Sequence, residues 1–235
     1  GGTNKLASGI AGLVEKNNGT VRLNETVESI LTDGNRATGV RLASGETVSA
    51  DIVVSNCDSA MTYGKLLKDY PRKRWTDAKI RRGDFSMSLF VWYFGTKGTA
   101  GQWSDVGHHT ILNGPRYKGL LRDIFVRGRL ADDMSLYVHR PSVTDPSVAP
   151  EGDDTFYVLS PVPHLGHGGV DWQTEADAYK AKMLKVLEDQ LLPGLGSKIV
   201  TEQVFTPETF RDRYLSPHGS GFSIEPRILQ SAWFR

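Results

Sequence analysis

Two pairs of histidines are the residues whose type and spacing could most directly bind a metal. They are His108-His109 and His164-x-x-His167. Neutral imidazole is a common zinc ligand. Adjacent residues of a strand point to opposite faces, however, so we do not expect His108 and His109 to share one ion. His164 and His167 lie in a loop rich in Pro and Gly, with only Asp171 nearby. The sequence therefore predicts no metal site.

Other short catalytic motifs are missing from the sequence. Neither GxGxxG nor the P-loop pattern of phosphate-binding loops occurs, and the GxSxG turn of serine hydrolases is absent too. The single cysteine, Cys57, follows an apolar run, and a thiol buried in apolar surroundings is typically structural. The residue types alone therefore define no complete active site, and the catalytic residues stay unknown.

The segment from Ser44 to Cys57 is the one expected to lead toward a ligand. A turn at Ser44-Gly45 precedes an alternating stretch and then the continuous apolar run 52–54, which closes at Ser55-Asn56. An unbroken β-branched run is typical of a strand covered on both faces. Ligands of α/β folds bind beyond the carboxyl ends of central strands. We therefore predict that this strand carries the chain into a cofactor domain.

The most hydrophobic stretch runs from Phe85 to Gly95 and has two distinct faces. One face is uniformly apolar, and the other changes from serine to the aromatic residues Phe90, Trp92 and Phe94. A central strand packed on both sides would show this pattern. A strand whose second face lines a cavity for an apolar ligand would show it as well, so both interpretations stay open at this point.

The elements that must position these residues suggest an α+β fold. Apolar spacing predicts a helix over 5–16, a β-meander over 20–56 and a mixed, mostly antiparallel sheet with helices against one face. A helix is expected to begin at Thr174, as its N-cap, and to end before Pro193-Gly194. The remaining expected elements are a short helix over 59–67, strands over 109–112, 135–139, 155–161 and 199–205, and a short helix from Thr206.

Composition narrows the class of protein further. The net charge of +1 offers no electrostatic basis for binding nucleic acid. No apolar run approaches the ~20 residues of a membrane-spanning helix. One cysteine excludes a disulfide framework and fits a reducing, cytoplasmic interior. Because the chain has no initiator methionine and stops at Trp233-Phe234-Arg235, directly after two large apolar residues, we expect it to be a fragment.

Several short sequence segments, in order along the whole chain, match those of a known family. They are Gly1-Gly-Thr3, Asp51-Ile-Val-Val-Ser-Asn56, Ser88-Leu-Phe-Val-x-Tyr-Phe-Gly95, Ser135-Leu-Tyr-Val-His139, Ser142-Val-Thr-Asp145, Ala149-Pro-Glu-Gly152, Pro161-Val-Pro-His-Leu-Gly166 and Gln230-Ser-Ala-Trp-Phe-Arg235. In these segments the chain resembles phytoene desaturases of the bacterial and fungal type, which belong to the amine-oxidase-like FAD superfamily. The resemblance implies an FAD-dependent oxidoreductase of carotenoid biosynthesis that desaturates phytoene toward lycopene.

The resemblance also implies where the cofactor would lie. Val27 matches a position at which backbone groups hold the adenine edge, and Ser55 and Asn56 match a turn beneath the cofactor. The alternatives are ordinary sheet core for Val27 and a helix N-cap for Ser55-Asn56. Since the family's GxGxxG and its glycine-rich flavin segment are absent from this sequence, we expect these 235 residues alone to be inactive and not to bind FAD.

An apolar, phytoene-like polyene is the substrate that the resemblance implies, and it would enter a dry tunnel lined by Phe90, Trp92, Phe94, Tyr137 and Tyr157. Peripheral membrane association is expected, and the oligomeric state is open. The expected domains are a partial FAD-binding domain over 1–58 and a substrate-binding domain over 59–217. The segment over 218–235 is expected to return toward the FAD-binding domain. The alternatives are a carotenoid isomerase, a retinol-saturase-like enzyme, an amine oxidase, or a module that binds an apolar ligand without chemistry.

Overall fold

The computed structural model describes residues 2–131 and 133–230, and the chain forms two compact units. The meander unit holds Thr3–Phe85, Leu215–Pro217 and the residues from Ser223 onward. The sheet unit holds Ser86–Tyr214 and His218–Phe222. The units thus divide after Phe85, whereas the predicted boundary is Asp58, and the assignment of functional domains stays a prediction. Gly1 and residues 231–235, which belong to the first and last of the segments on which the family resemblance rests, lie outside the described residues.

The meander unit contains a three-stranded antiparallel sheet in the order β1-β2-β3. Asp33 pairs with Arg36 across a two-residue turn in which Gly34 has a φ of 54°, as tight hairpins require. The predicted meander is therefore confirmed over its last three strands. The elements of this part of the chain are α1 (Gly2–Lys16), β1 (Val27–Asp33), β2 (Arg36–Leu42), β3 (Thr47–Ser49), α2 (Ser59–Met61), a π-helical turn (Thr62–Leu66) and α3 (Asp77–Arg81).

Helix α1 forms where its apolar spacing predicts, and it ends at the predicted residues. Asn18 adopts a left-handed φ of 61°, and the amide of Gly19 donates to the carbonyl of Val14 at 2.8 Å. None of the residues of α1 is buried: Leu6 and Leu13, on its apolar stripe, are 68% and 58% exposed. The stripe therefore has no covering layer among the described residues.

The prediction that the apolar run 52–54 belongs to a strand covered on both faces is wrong. β3 ends at Ser49, and the apolar run that follows is exposed, with Ile52 80% and Val54 87% accessible. β3 is the edge of its sheet, and its ladder stops soon after Ser49 pairs with Gly39. The apolar run consequently has neither a partner strand nor a covering layer in the described part of the chain. Cys57, expected to be buried, is exposed as well.

The sheet unit is built on a five-stranded sheet in the order β5-β6-β7-β4-β8, and each neighbouring pair is antiparallel. The α+β fold class is therefore confirmed. Its elements are β4 (Ser88–Thr96), β5 (His109–Leu112), α4 (Tyr117–Arg122), a π-helical turn (Asp123–Arg127), β6 (Leu136–His139), β7 (Asp154–Val162), α5 (Trp172–Gln190), β8 (Ile199–Phe205) and α6 (Pro207–Arg213). Single 3₁₀ turns occur at Pro141–Val143, Pro146–Val148, Leu165–His167 and Leu195–Ser197.

Helix α5 covers one face of this sheet and forms the main core with it. The helix begins at Trp172, and its N-cap is Asp171, three residues before the predicted N-cap Thr174, because the side chain of Asp171 accepts from the amide of Gln173. The Trp172 ring is 2% exposed and lies 5.6 Å from the Phe90 ring, measured between centroids. Other core residues on α5 are Tyr179, Met183 and Leu187.

Candidate functional site

The sheet face opposite α5 carries two rows of residues that run across all five strands. Directly paired residues of a sheet share a face, so the register lets each row be read off strand by strand. The first row is His109, His139, Tyr157, Tyr93 and Gln203, and the second is Ile111, Tyr137, Leu159, Val91 and Phe205. We call this the open face. It joins imidazoles, phenols and aliphatic side chains in one continuous surface.

The rings of the open face contact one another across the strands. Tyr157 lies 5.6 Å from both Tyr93 and Tyr137, and 4.7 Å from His139, measured between ring centroids. Such spacings are those of favourable aromatic pairs. Tyr93 is 39% exposed and is therefore accessible to a ligand. The predicted residues Tyr137 and Tyr157 thus share one surface.

The other three predicted substrate residues lie on the opposite face of the same strand. Phe90, Trp92 and Phe94 are 0%, 1% and 2% exposed and belong to the core beneath α5. The indole nitrogen of Trp92 donates to Glu202 at 2.8 Å. The expectation that all five residues form one wall is therefore corrected. Both faces of β4 are apolar in sequence, and α5 covers the face that was expected to be open.

Tyr157 and Tyr93 of the open face stay neutral at physiological pH, because their pKa values are raised. Burial, a hydrogen bond with Tyr137 and the nearby phenols raise the pKa of Tyr157 to about 12. Burial also raises the pKa of Tyr93, with a smaller contribution from Tyr214. A neutral phenol costs less to desolvate than a phenolate, so Tyr93 and Tyr157 can contact an apolar ligand without burying a charge.

The open face is covered at one end and accessible at the other. Leu89, Val91 and Phe205 are buried, and Phe210 of α6 packs against them. Beyond Tyr93 lies a groove of ≈ 590 Å³. Its lining includes Tyr93, Gly95, Thr155, Thr201 and Gln203 together with the loop over 148–150. A ligand could therefore lie along the exposed end of the sheet.

Three histidines meet at the edge of the open face, contrary to expectation. One ring nitrogen from each of His108, His109 and His139 lies within 4.8 Å of the others. Strand alternation does not separate His108 from His109, because β5 begins at His109 and His108 precedes the strand. His139 pairs directly with His109 from the neighbouring strand, and sequence spacing does not reveal such a partner.

The hydrogen bonds of the cluster differ from ring to ring. Nε2 of His108 lies 2.8 Å from Nε2 of His139, while Nδ1 of His108 contacts the hydroxyl of Thr144. Nδ1 of His109 contacts the hydroxyl of Tyr137. Nδ1 of His139 is buried and has no hydrogen-bond partner among the described residues. Burial, then the neighbouring imidazoles, lowers the pKa of His139, so this ring is neutral at pH 7.

A buried ion pair holds the loop that ends at His108. The guanidinium of Arg140 binds both carboxylate oxygens of Asp154, at 3.1 and 2.8 Å, and donates to the carbonyl of Trp103 at 3.0 Å. Its backbone amide donates to the carbonyl of His108 at 2.9 Å. Ser142 also donates to Asp154. Arg140 is thus a positioning residue for the histidine cluster.

Ser55 and Asn56, predicted as cofactor contacts, line a cavity of ≈ 680 Å³ in the meander unit. The hydroxyl of Ser55 lies 2.8 Å from that of Thr62. The alternative role of helix cap falls to Asp58, whose carboxylate accepts from the amide of Ala60. Val27 begins β1, where it is half-buried and pairs with Leu42.

The same cavity combines positive charge with stacked rings. Arg72, Lys73 and Arg74 line it, as do Tyr63 and Trp75. The two rings are parallel, at an interplanar angle of 2° and a centroid distance of 5.5 Å. Arg72 donates to the carbonyl of Trp75 at 3.0 Å. Cations beside flat rings are suited to an anionic group that carries an aromatic system. A short basic run of this kind is usually a solvated surface, so the sequence alone does not single these cations out.

Comparison with known proteins defines the class. Residues 1–224 match the family described as flavin containing amine oxidoreductase, and the chain belongs to that family. Flavin is the cofactor of the family. The α+β architecture described above is shared with a solved oxidoreductase from Methanosarcina mazei, at a TM-score of 0.56 and 17% identity, over 83% of this chain and 40% of that one. A Pyrococcus furiosus protein gives a TM-score of 0.55, also at 17% identity, over 82% of this chain and 40% of that one. At such identities the likeness concerns the fold alone.

Within the family the chain is similar to phytoene desaturases. It is 62% identical to the phytoene desaturase (neurosporene-forming) of Cereibacter sphaeroides, over 100% of this chain and 45% of that protein. It is 46% identical to the phytoene desaturase (lycopene-forming) of Paracoccus sp., over 100% of this chain and 46% of that protein. The chain therefore spans less than half the length of these curated relatives. None of the described helices is both long and apolar enough to cross a membrane.

Proposed function

We propose that the chain is part of an FAD-dependent phytoene desaturase, which removes hydrogen across carbon–carbon bonds of a long apolar polyene. The observation that carries this proposal is 62% identity to a phytoene desaturase across the whole chain. When bound, flavin supplies the acceptor for the hydride that leaves the substrate. The residues of this chain bind and orient the reactants, and no proton-transferring residue is assigned among them.

The meander unit contributes to holding the cofactor. Its cavity at Ser55 and Asn56 fits part of a dinucleotide, because Lys73 and Arg74 offer positive charge to phosphate and the paired rings offer an apolar surface. Val27 contributes backbone groups at the start of β1. The exposed apolar run 52–54 is suited to packing against segments of a longer protein.

The open face of the sheet unit contributes to holding the substrate. Tyr93, Tyr137 and Tyr157 form an uncharged aromatic surface that excludes water from a hydrocarbon chain without binding it through specific polar contacts. Phe90, Trp92 and Phe94 support this surface from behind, through the packing of β4 on α5. A substrate of this class resides in the bilayer, so the intact protein associates peripherally with membranes.

Expression of the intact gene tests the proposal. A bacterial host that accumulates phytoene is given the full-length protein, and its pigments are separated and identified by absorption spectra. We expect coloured products with extended conjugation, such as neurosporene or lycopene. Recovery of phytoene alone from cells that contain folded, flavin-bound protein would sink the proposal. A changed double-bond geometry without new double bonds would instead favour an isomerase.

A further inference from the structure

The histidine cluster formed by His108, His109 and His139 is not needed for the proposed flavin chemistry, yet its geometry is that of a ligand set. Its three rings lie close together, with centroid distances of 4.3, 4.7 and 5.1 Å. They come from two paired strands and the residue preceding one of them. The backbone therefore holds all three side chains within reach of a common point.

The distances between ring nitrogens are close to those of a metal site. Nitrogen ligands lie about 2.0–2.1 Å from zinc, so two such ligands of a tetrahedral ion are separated by about 3.3 Å. The candidate nitrogens all lie within 4.8 Å of one another, and Nε2 of His108 is 2.8 Å from Nε2 of His139. Small side-chain rotations would bring all three to the required separation.

The outer contacts of the rings are those that metal-binding histidines use. A ligating imidazole usually donates through its second nitrogen to a neighbouring acceptor, which fixes the ring and its tautomer. Thr144 offers an oxygen to Nδ1 of His108, and Tyr137 offers one to Nδ1 of His109. In both rings Nε2 is thus the nitrogen left to face an ion. The buried Nδ1 of His139 has no hydrogen-bond partner among the described residues, which is uncommon for a buried polar atom.

We propose that His108, His109 and His139 bind one divalent transition-metal ion of the zinc class. The group contains no carboxylate and no thiolate, so the oxygen-seeking ions Mg²⁺ and Ca²⁺ are poor candidates. Imidazole ligands suit Zn²⁺, Co²⁺, Ni²⁺ and Cu²⁺. With three protein ligands a tetrahedral ion retains a fourth position, and His109, which is exposed, leaves solvent access to it.

Bound metal would connect β5 to β6 at the edge of the open face. It would replace the hydrogen bond between His108 and His139 with two metal–nitrogen bonds, and it would tie the loop held by Arg140 to the sheet. An ion that binds the folded state alone stabilises it. We therefore expect metal to raise the unfolding temperature of the chain.

Metal titration of the chain, purified without a histidine tag and treated with a chelator, tests the proposal. Calorimetry with ZnCl₂ should give one equivalent per chain, and CoCl₂ should produce the visible bands of a tetrahedral nitrogen site. His109→Ala should weaken zinc binding by at least about tenfold, since loss of even an outer partner has effects of that size. His109 is exposed, so this variant should fold normally.

Two further variants make the test specific. His167→Gln removes an exposed histidine outside the cluster, and it should leave the affinity and stoichiometry unchanged. Thr144→Val removes the outer contact of His108, and it should weaken binding less than His109→Ala does. No heat and no cobalt spectrum at millimolar metal would overturn the proposal, leaving a hydrogen-bonded network only. Binding that survives His109→Ala but is lost in His167→Gln would overturn it as well.

Discussion

Asp154 is the residue on which several loops of the sheet unit depend. It is 4% exposed and accepts hydrogen bonds from Arg140, Ser142 and Thr99. A buried pair contributes little net stability compared with a well-packed apolar pair, but removal of one partner leaves a buried charge uncompensated. The loops that carry His108 and the 3₁₀ turn at Pro141–Val143 therefore depend on this carboxylate.

Asp154→Asn should lower the free energy of unfolding by about 3–5 kcal/mol, because the Arg140 guanidinium stays buried without its counter-charge. Urea unfolding at pH 7 measures the loss. Asp189→Asn is the matched control, because the ion pair of Asp189 with Lys185 is solvent-exposed and should contribute little. Equal losses in the two variants would contradict the assigned role of Asp154.

The same carboxylate should make stability depend on pH in the acid range. Burial alone would raise the pKa of Asp154, but the hydrogen bonds from Arg140, Ser142 and Thr99 outweigh it and hold the pKa below the ordinary 3.8. The stabilisation is thus complete above about pH 4 and is lost as the pH falls through the depressed value. Asp154→Asn should flatten this part of the curve in urea unfolding from pH 6 to 3. Parallel curves for wild type and variant would refute the linkage.

At the scale of elements, alternate residues of β4 have different roles, one set in the core and the other on the open face. Phe90 and Trp92 point to the core beneath α5, and Tyr93 points to the open face. The same strand therefore stabilises the fold through one face and offers a ligand surface through the other. Substitutions only three positions apart should consequently differ in kind.

Phe90→Ala should destabilise the chain by about 3–5 kcal/mol, because it opens a cavity in a fully packed core. Tyr93→Phe keeps the ring and removes only a half-exposed hydroxyl, so its effect on unfolding should be small. Thermal and urea unfolding of both variants provide the measurement. A loss in Tyr93→Phe as large as that in Phe90→Ala would mean that the open face is core as well.

Helices and strands that are marked by apolar periodicity and flanking turns could be predicted from the sequence. Which of their faces are covered by other elements could not. Strands β5 and β8 have the predicted bounds because alternation and flanking turns define them. Helix α4 is not among the predicted elements, since its six residues carry few apolar repeats. The burial of the run 52–54 and of the two faces of β4 depends on which layers cover them, and no local pattern contains that information.

The candidate site divides in the same way. The family resemblance, together with the expected neighbouring strands, singles out Tyr137 and Tyr157, and the resemblance alone singles out Ser55 and Asn56; the roles of all four stay predictions. The histidine cluster is assembled from neighbouring strands, so it depends on register, and sequence spacing alone suggests the opposite conclusion for His108 and His109. Arg72, Lys73 and Arg74 of the Ser55 cavity cannot be recognised from the sequence either, because a short basic run is usually solvated.

At the scale of the whole molecule, the chain contains parts of a flavoenzyme that its relatives complete elsewhere in their length. It spans 45% of a phytoene desaturase that is 62% identical to it. The sequence contains no GxGxxG loop to bind a pyrophosphate. In the described part of the chain, apolar residues such as Leu6, Ile52 and Val54 are exposed to solvent.

The isolated chain should consequently purify without flavin. We expect no absorbance of bound flavin after purification, and no stoichiometric binding when FAD is added and excess is removed by gel filtration. The cavity at Ser55 and Asn56 alone offers too few contacts to offset the entropy of immobilising a dinucleotide. The intact protein, prepared in the same way, is the control. A yellow preparation of the isolated chain with one FAD per chain would refute this account.

Anaerobic reduction of the flavin in the intact protein tests the central claim most directly. Purified, FAD-loaded protein is mixed with phytoene in lipid vesicles, and the visible absorbance of oxidised flavin is followed together with the absorbance of the product. We expect the flavin to bleach while bands of a more conjugated carotenoid appear. Flavin that stays oxidised with phytoene but bleaches with a primary amine would contradict this expectation and would identify an amine oxidase instead.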